Sequence, residues 1–315
     1  MADKQLSVTG LQLWQWRNVA IQAAMAQSAR PAGANATGIL PAEVDWLLQE
    51  VAGLDRLALR LESYKNQAEI PLKLSLEDLD KLWQQRLNEH LPVQYIAGAT
   101  PWRKYKIAVS NAVLIPRPET EYLIDLAVVA ARKSTVTPSL EQGHWADLGT
   151  GSGAIAIGLA DVFTTANIHA VDYSHEALVV AKANAQNLGF GERIQFYQGS
   201  WWQPLASLKG QFSGMVSNPP YIPTNIIPTL QLEVLKHEPH LALDGGIDGL
   251  DCIRHLVEIS PIYLRSGGVW LIEMMKGQAD TVREMLHNQG SYCNIQIHKD
   301  LAGIERFALA YRKSS

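Results

Sequence analysis

Trp145-Ala-Asp147-Leu-Gly149-Thr-Gly151-Ser-Gly153-Ala-Ile155 is the stretch that decides the fold. A short apolar run ends at Leu148, glycines follow at alternate positions, and an apolar helical pattern begins at Ala154. Glycine lets the backbone turn sharply and lets a ligand approach where side chains would exclude it. The spacing therefore predicts a strand, a ligand-facing turn over Gly149, Thr150, Gly151, Ser152 and Gly153, and the start of a helix. Asp172 ends the next apolar run, where an acid can accept hydrogen bonds from a ribose. Gly149, Gly151 and Ala154 also satisfy the loose dinucleotide fingerprint, whose acid falls about 20 residues later. A nucleoside-type ligand follows; its identity stays open at this point.

Outward from the glycine loop the alternation continues. Residues 145–148, 168–171, 194–197, 214–217 and 269–272 are short apolar runs of the kind that form buried strands. Helical patterns separate them, notably over 177–188, and two further candidate strands cover 294–298 and 306–311. Strands alternating with helices predict a mostly parallel α/β sheet.

The front of the chain differs. Trp14, Trp16 and nearby leucines open an apolar segment that ends at Pro31-Ala-Gly, a loop signal. Pro41 suits a first helical turn, Val44, Leu47, Leu48 and Val51 follow at helical spacing, and Gly53 is a stop. Ser75 is placed to cap a third helix carrying Leu79, Leu82, Trp83 and Leu87 on one face. The mixed β-branched and turn residues of 95–113 suggest a hairpin joining this bundle to the sheet.

Asn218-Pro219-Pro220-Tyr221 follows the fourth predicted strand of the sheet. Ligands of open α/β sheets bind beyond the carboxyl ends of the strands, so this loop should lie beside the glycine loop. An amide nitrogen is a poor nucleophile, because its lone pair is delocalised, and it carries two N–H donors. The Asn218 side-chain oxygen and the Pro219 carbonyl supply two acceptors, prolines stiffen the loop that carries them, and Tyr221 offers a flat wall for a planar group. Orientation of this kind is worth up to about 7–11 kcal/mol in favourable cases, and it needs no dedicated general base.

Composition bounds the partners. The 315 residues are 47% apolar and 18% charged, an ordinary globular balance with room for two domains. A net charge of −4 without a Lys/Arg run gives no footprint for a phosphate backbone. Cys252 and Cys293 form neither a disulfide framework nor a metal-spaced cluster and read as buried thiols in a reducing compartment. Met-Ala-Asp-Lys at the start is no export signal, and apolar stretches such as 123–131 are too short to span a bilayer. The expectation is a cytoplasmic protein without metal, membrane or direct nucleic-acid contact.

Taken together, Asp147 to Gly153, Asp172 and Asn218 to Tyr221 resemble a class I methyltransferase acting on a planar nitrogen. Flanking segments narrow the resemblance: Ile115-Pro-Arg-Pro-Glu-Thr-Glu121, His237-Glu-Pro-His-Leu-Ala-Leu243 with Gly245-Gly-Ile-Asp-Gly-Leu250, and Asp300-Leu-Ala-Gly-Ile-Glu-Arg306. Over about residues 90 to 312 the chain is similar to the N5-glutamine methyltransferases of peptide chain release factors, the PrmC/HemK family.

The resemblance implies a Rossmann-like, mostly parallel seven-stranded sheet with a small helical N-terminal domain. It implies S-adenosylmethionine as cofactor, held by Gly149 to Gly153, by Asp172 at the ribose, by Trp201 against the adenine, and by Asn218. It further implies that Asn218 and Pro219 are catalytic, and that Asn218, Pro219, Pro220 and Tyr221 capture the target glutamine. That target is expected in the Gly-Gly-Gln loop of a class-1 release factor. The implied organisation is a docking domain over 1–90, a hairpin linker over 91–113 and a methyltransferase domain over 114–315.

Two positions depart from the family pattern: Ser200, where relatives often carry an acid, and Met275, where they usually have glycine. Two other readings stay open, a glutamine methyltransferase of a ribosomal protein and a cofactor-binding protein without turnover. A nucleic-acid amino methyltransferase shares loops of the Asn-Pro-Pro-Tyr type, but the acidic balance argues against it. A nicotinamide dehydrogenase leaves Asn218 to Tyr221 unexplained.

Overall fold

The computed structural model describes residues 6–28 and 38–314. Met-Ala-Asp-Lys at the start and the Pro31-Ala-Gly loop lie outside the described residues. The chain divides into two compact units, Met1–Ala99 with Pro228–Glu238, and Thr100–Ile227 with Pro239–Ser315. The segment 228–238, expected within the domain over 114–315, is thus grouped with the helical unit.

The first unit holds helices α1 (Gly10–Ser28), α2 (Pro41–Ala52), α3 (Arg56–Leu61), α4 (Leu76–Glu89) and α5 (Val93–Ala97). Short strands β1 (Leu6–Val8) and β2 (Ile70–Leu72) pair antiparallel. The expected boundary signals work locally. Pro41 opens α2, Gly53 ends it at φ 65°, and the Ser75 hydroxyl accepts from the Asp78 amide at 3.0 Å. Val44, Leu47, Leu48, Leu79 and Trp83 form the core with Leu13 and Tyr64. Arg86 is buried within this unit between Glu43 (2.8 Å) and Glu233 (2.6 Å), the latter on the short helix Leu232–His237. A buried guanidinium needs such partners, so the triad fixes the 228–238 segment to this unit's own core.

The second unit begins with a hairpin, β3 (Ala99–Trp102) and β4 (Tyr105–Ala108), narrower than the expected 95–113 because α5 takes residues 95–97. The main sheet follows: β5 (Gly143–Leu148), β6 (Ala166–Asp172), β7 (Ile194–Gln198), β8 (Phe212–Ser217), β9 (Leu264–Glu273), β10 (Tyr292–Lys299) and β11 (Glu305–Arg312). Its order is β10-β11-β9-β8-β5-β6-β7. The first five strands run parallel, and β11 pairs antiparallel with both β9 and β10. This is the expected seven-stranded, mostly parallel sheet.

Successive strand residues point to opposite faces, and the packing follows that period. Trp145, Val216, Val269, Leu271, Phe307 and Leu309 join one core cluster with the helices Tyr122–Lys133 and Ala154–Val162. Ala146, Met215, Trp270, Ile272, Ala308 and Ala310 join another with the helices Asp251–Tyr263 and Ala279–Gln289. Both faces are covered, so the carboxyl ends of the parallel strands are where a ligand can reach the sheet.

Candidate active site

The chain reverses direction in strand order between β5 and its neighbours β6 and β8, which opens a crevice at their carboxyl ends. A cavity of about 380 Å³ lies there within the second unit. Gly149, Thr150, Ser152, Asp172, Ser200, Trp201, Asn218 and Pro220 all line it, together with Thr120 and Cys252. Its volume is in the range of small-molecule sites, and its wall is mainly apolar with a few polar groups.

The glycine loop is held by backbone bonds and one buried acid. The amides of Gly149 and Thr150 both donate to the Val171 carbonyl at 2.9 Å, tying the loop to the end of β6. Gly149, Gly151 and Gly153 have φ of 79°, 53° and 83°, the left-handed region that other residues enter at a cost. A Cβ on Gly153 would meet Ala181 at 3.1 Å, and one on Gly149 would touch the Trp201 ring at 3.6 Å.

Asp147 is fully buried, and one oxygen accepts from the Thr150 hydroxyl (2.5 Å) and the Ala156 amide (2.9 Å). Among the described residues its other oxygen has no hydrogen-bond partner. Burial pushes this carboxyl up to about 7, against the pull of those two donors.

Asp172 accepts from the Gly151 amide at 2.8 Å through one oxygen and from the Ser174 amide at 2.9 Å through the other. Burial raises its carboxyl, and these backbone donors partly counter the rise. Each carboxylate oxygen keeps further lone-pair capacity, and the residue lines the cavity. Trp201 sits at a positive φ of 50°, which brings its ring over Gly149.

The other end of the cavity is built from side chains. Ser217 pairs with Ile272 across β8 and β9, so the next residues, Asn218 and Glu273, emerge side by side although 55 positions apart. The Asn218 side-chain amide donates to the Thr120 hydroxyl oxygen at 3.3 Å. Thr120 donates to Glu273 Oε2 at 2.7 Å, and the Tyr221 hydroxyl donates to Glu273 Oε1 at 3.0 Å. Burial raises the Glu273 carboxyl, while both hydroxyls and the charge of Arg306 pull it down. Arg306 is aimed by Asp300, which accepts from Arg306 Nε at 2.9 Å and from the Ala302 and Ile304 amides. The Asp-Leu-Ala-Gly-Ile-Glu-Arg segment is therefore a turn that delivers a cation.

Gly151, Gly153, Pro219 and Tyr221 are not among the lining residues. Gly151 acts through Asp172. Tyr221 is anchored by Glu273 at its hydroxyl and by Gln278, whose amide donates to the Tyr221 carbonyl at 3.0 Å. Met275 also lies off the lining, and its amide donates to the Gln278 side chain at 2.9 Å. The thiols expected to be buried are only half-buried. Sequence reasoning did not single out Val113, Leu114, Leu241 and Ala242, the apolar wall, nor Thr120 and Glu273 as individuals. Thr120, Leu241 and Ala242 lie inside segments already quoted for the resemblance, whereas Val113, Leu114 and Glu273 do not.

Known proteins similar to this chain are methyltransferases. A methyltransferase domain model matches residues 141–299. A release factor glutamine methyltransferase of Synechocystis sp. is 51% identical over 303 residues, 96% of this chain and 97% of that protein. Another, of Thermosynechococcus vestitus, is 48% identical over 283 residues, covering 87% and 95%. Among solved structures, the hMettl16 catalytic domain in complex with MAT2A 3′UTR hairpin 6 is 14% identical with a TM-score of 0.51, covering 78% of this chain and 85% of that one. At that identity the likeness concerns the fold alone.

Proposed function

The chain belongs to the release factor glutamine methyltransferases, and from that premise we propose that it methylates the side-chain nitrogen N5 of the glutamine in the Gly-Gly-Gln loop of class-1 release factors. One observation carries the chemistry: Asn218 and the glycine-loop–Asp172 pair line the same cavity. The polar groups at its two ends suit two different ligands.

The residues present fit S-adenosylmethionine. Gly149, at a left-handed φ of 79°, turns the backbone against Trp201 without a side chain, Asp172 offers carboxylate capacity for ribose hydroxyls, and Trp201 supplies an aromatic face for adenine. Ser200, on the same wall, can accept a hydrogen bond without charge. When bound, this cofactor supplies an electrophilic methyl group on a positively charged sulfur.

The protein's part is positioning. Asn218 and the Pro219 carbonyl accept the two N–H hydrogens of the incoming carboxamide, which holds its plane and presents nitrogen in one direction. Pro219 and Pro220 restrict the backbone that carries these acceptors. The proton leaves after the methyl arrives, so no residue has to remove it beforehand. Much of the rate then comes from orientation, worth up to about 7–11 kcal/mol in favourable cases.

The helical unit is the proposed docking module for the body of the release factor. Leu57 and Leu61, four residues apart on α3, are both nearly two-thirds exposed and form an apolar step on its surface. Replacing both with aspartate should raise KM for intact release factor and leave KM for a Gly-Gly-Gln peptide unchanged.

Mass spectrometry of purified release factor, a ribosomal-protein mixture and RNA, each incubated with the protein and labelled cofactor, tests the function. The expected result is label on the release-factor glutamine alone. Label on ribosomal protein or RNA, or cofactor binding with no transfer, would redirect the assignment.

A further inference from the structure

Asn218 has two ends of nearly equal size, an oxygen and an NH₂, and shape alone does not decide which faces the cavity. If the NH₂ faced inward, it would meet the hydrogens of the substrate amide donor against donor. The proposed chemistry therefore needs something that holds one orientation. We propose that Thr120 and Glu273 are positioning residues that set the direction of the Asn218 carboxamide, an inference that rests on the function proposed above.

Both Glu273 oxygens face hydroxyl groups, Thr120 at 2.7 Å and Tyr221 at 3.0 Å, with the Arg306 guanidinium as countercharge. The Thr120 hydroxyl donates to Glu273 Oε2, so its single hydrogen is committed there. The Thr120 oxygen is left with lone pairs and can receive only a donor. That donor is Asn218 Nδ2 at 3.3 Å. The Asn218 oxygen then faces the cavity that the residue lines.

In the flipped orientation, two oxygens without a hydrogen between them would meet at Thr120, and the same group would present donors to the substrate. Both contacts oppose the flip. Thr120 is itself buried at 4% exposure, so water does not readily replace the missing donor. Tyr221 secures the other Glu273 oxygen, which keeps the carboxylate from turning away from Thr120.

The roles are positional, because neither Thr120 nor Glu273 needs to touch the reacting atoms. Thr120→Val keeps the shape and removes the hydroxyl; Thr120→Ser keeps the hydroxyl. Steady-state kinetics on release factor should show kcat of Thr120→Val down about ten- to hundredfold, the scale of one lost orienting hydrogen bond. KM for the release factor and cofactor affinity should stay within about twofold, and Thr120→Ser should recover most of the rate. Wild-type kcat in Thr120→Val, or equal loss in both variants, would overturn the proposal.

An atomic-resolution crystal structure of each variant adds an arm that needs no substrate. Asn218 should hold a single orientation, Nδ2 to the hydroxyl, in wild type and Thr120→Ser, and lose it in Thr120→Val. An unchanged amide in Thr120→Val would overturn the proposal even if release factor proved to be the wrong substrate. Absence of transfer by wild-type protein would instead count against the function reading.

Discussion

The two ends of the cavity are built from different materials. At the glycine-loop end the backbone does the holding: Val171 receives two loop amides, and Asp172 takes its place from the amides of Gly151 and Ser174. At the Asn218 end four side chains, Asn218, Thr120, Glu273 and Tyr221, hold one another. A backbone frame is common to any sequence that can make the turn. A side-chain network fails atom by atom, and it suits a step whose rate depends on angle. Substitutions at the first end should therefore act on affinity, and those at the second on turnover.

The largest effect is expected at Asn218. Asn218→Ala removes an acceptor from the proposed grip, and kcat should fall by about a thousandfold, as when an oriented transition-state contact is lost. Cofactor affinity, measured by calorimetry, should change by less than about threefold. Turnover near that of wild type would erase the distinction between the two ends.

Asp172→Ala should do the reverse. Loss of a charged acceptor to two ribose hydroxyls should weaken cofactor binding by about ten- to hundredfold, with kcat at saturating cofactor much less affected. An unchanged dissociation constant would remove the ribose role.

The smallest effect sharpens the comparison from inside the backbone-built end. The Asp147 carboxyl, at about 7 in the folded protein, lies above its ordinary value, so the folded state favours its neutral form. Such a group contributes stability that is full below the unfolded value and is lost as pH rises through about 7. Asp147→Asn removes this titration. In cofactor-free protein the variant should gain on wild type between pH 6 and pH 8 by about 1.4 kcal/mol, read from denaturant unfolding. A difference independent of pH would show that Asp147 is not held in this way.

Legibility in the sequence followed locality. The seven strands and the glycine turn were readable because period, apolar runs and left-handed glycines are properties of neighbouring residues. Gly53 and Ser75 announced helix ends for the same reason. The partnership of Thr120 with Glu273 was not readable, because the two lie 153 positions apart and meet only where the turn Glu119–Glu121 reaches the end of β9. The grouping of 228–238 with the helical unit has the same origin: nothing in Leu232–His237 names Arg86, which lies 147 positions before Glu233. Tyr221 illustrates a subtler limit. Its residue type suggested a wall, but the hydroxyl found a buried carboxylate, and that contact makes it an anchor.

A crystal structure of the protein with a Gly-Gly-Gln peptide and S-adenosylhomocysteine tests the central claim most directly. The glutamine nitrogen should lie within hydrogen-bond distance of both the Asn218 side-chain oxygen and the Pro219 carbonyl, on the side facing the cofactor's sulfur. A glutamine bound elsewhere, or Asn218 turned from the sulfur toward the interior or bulk solvent, would contradict it.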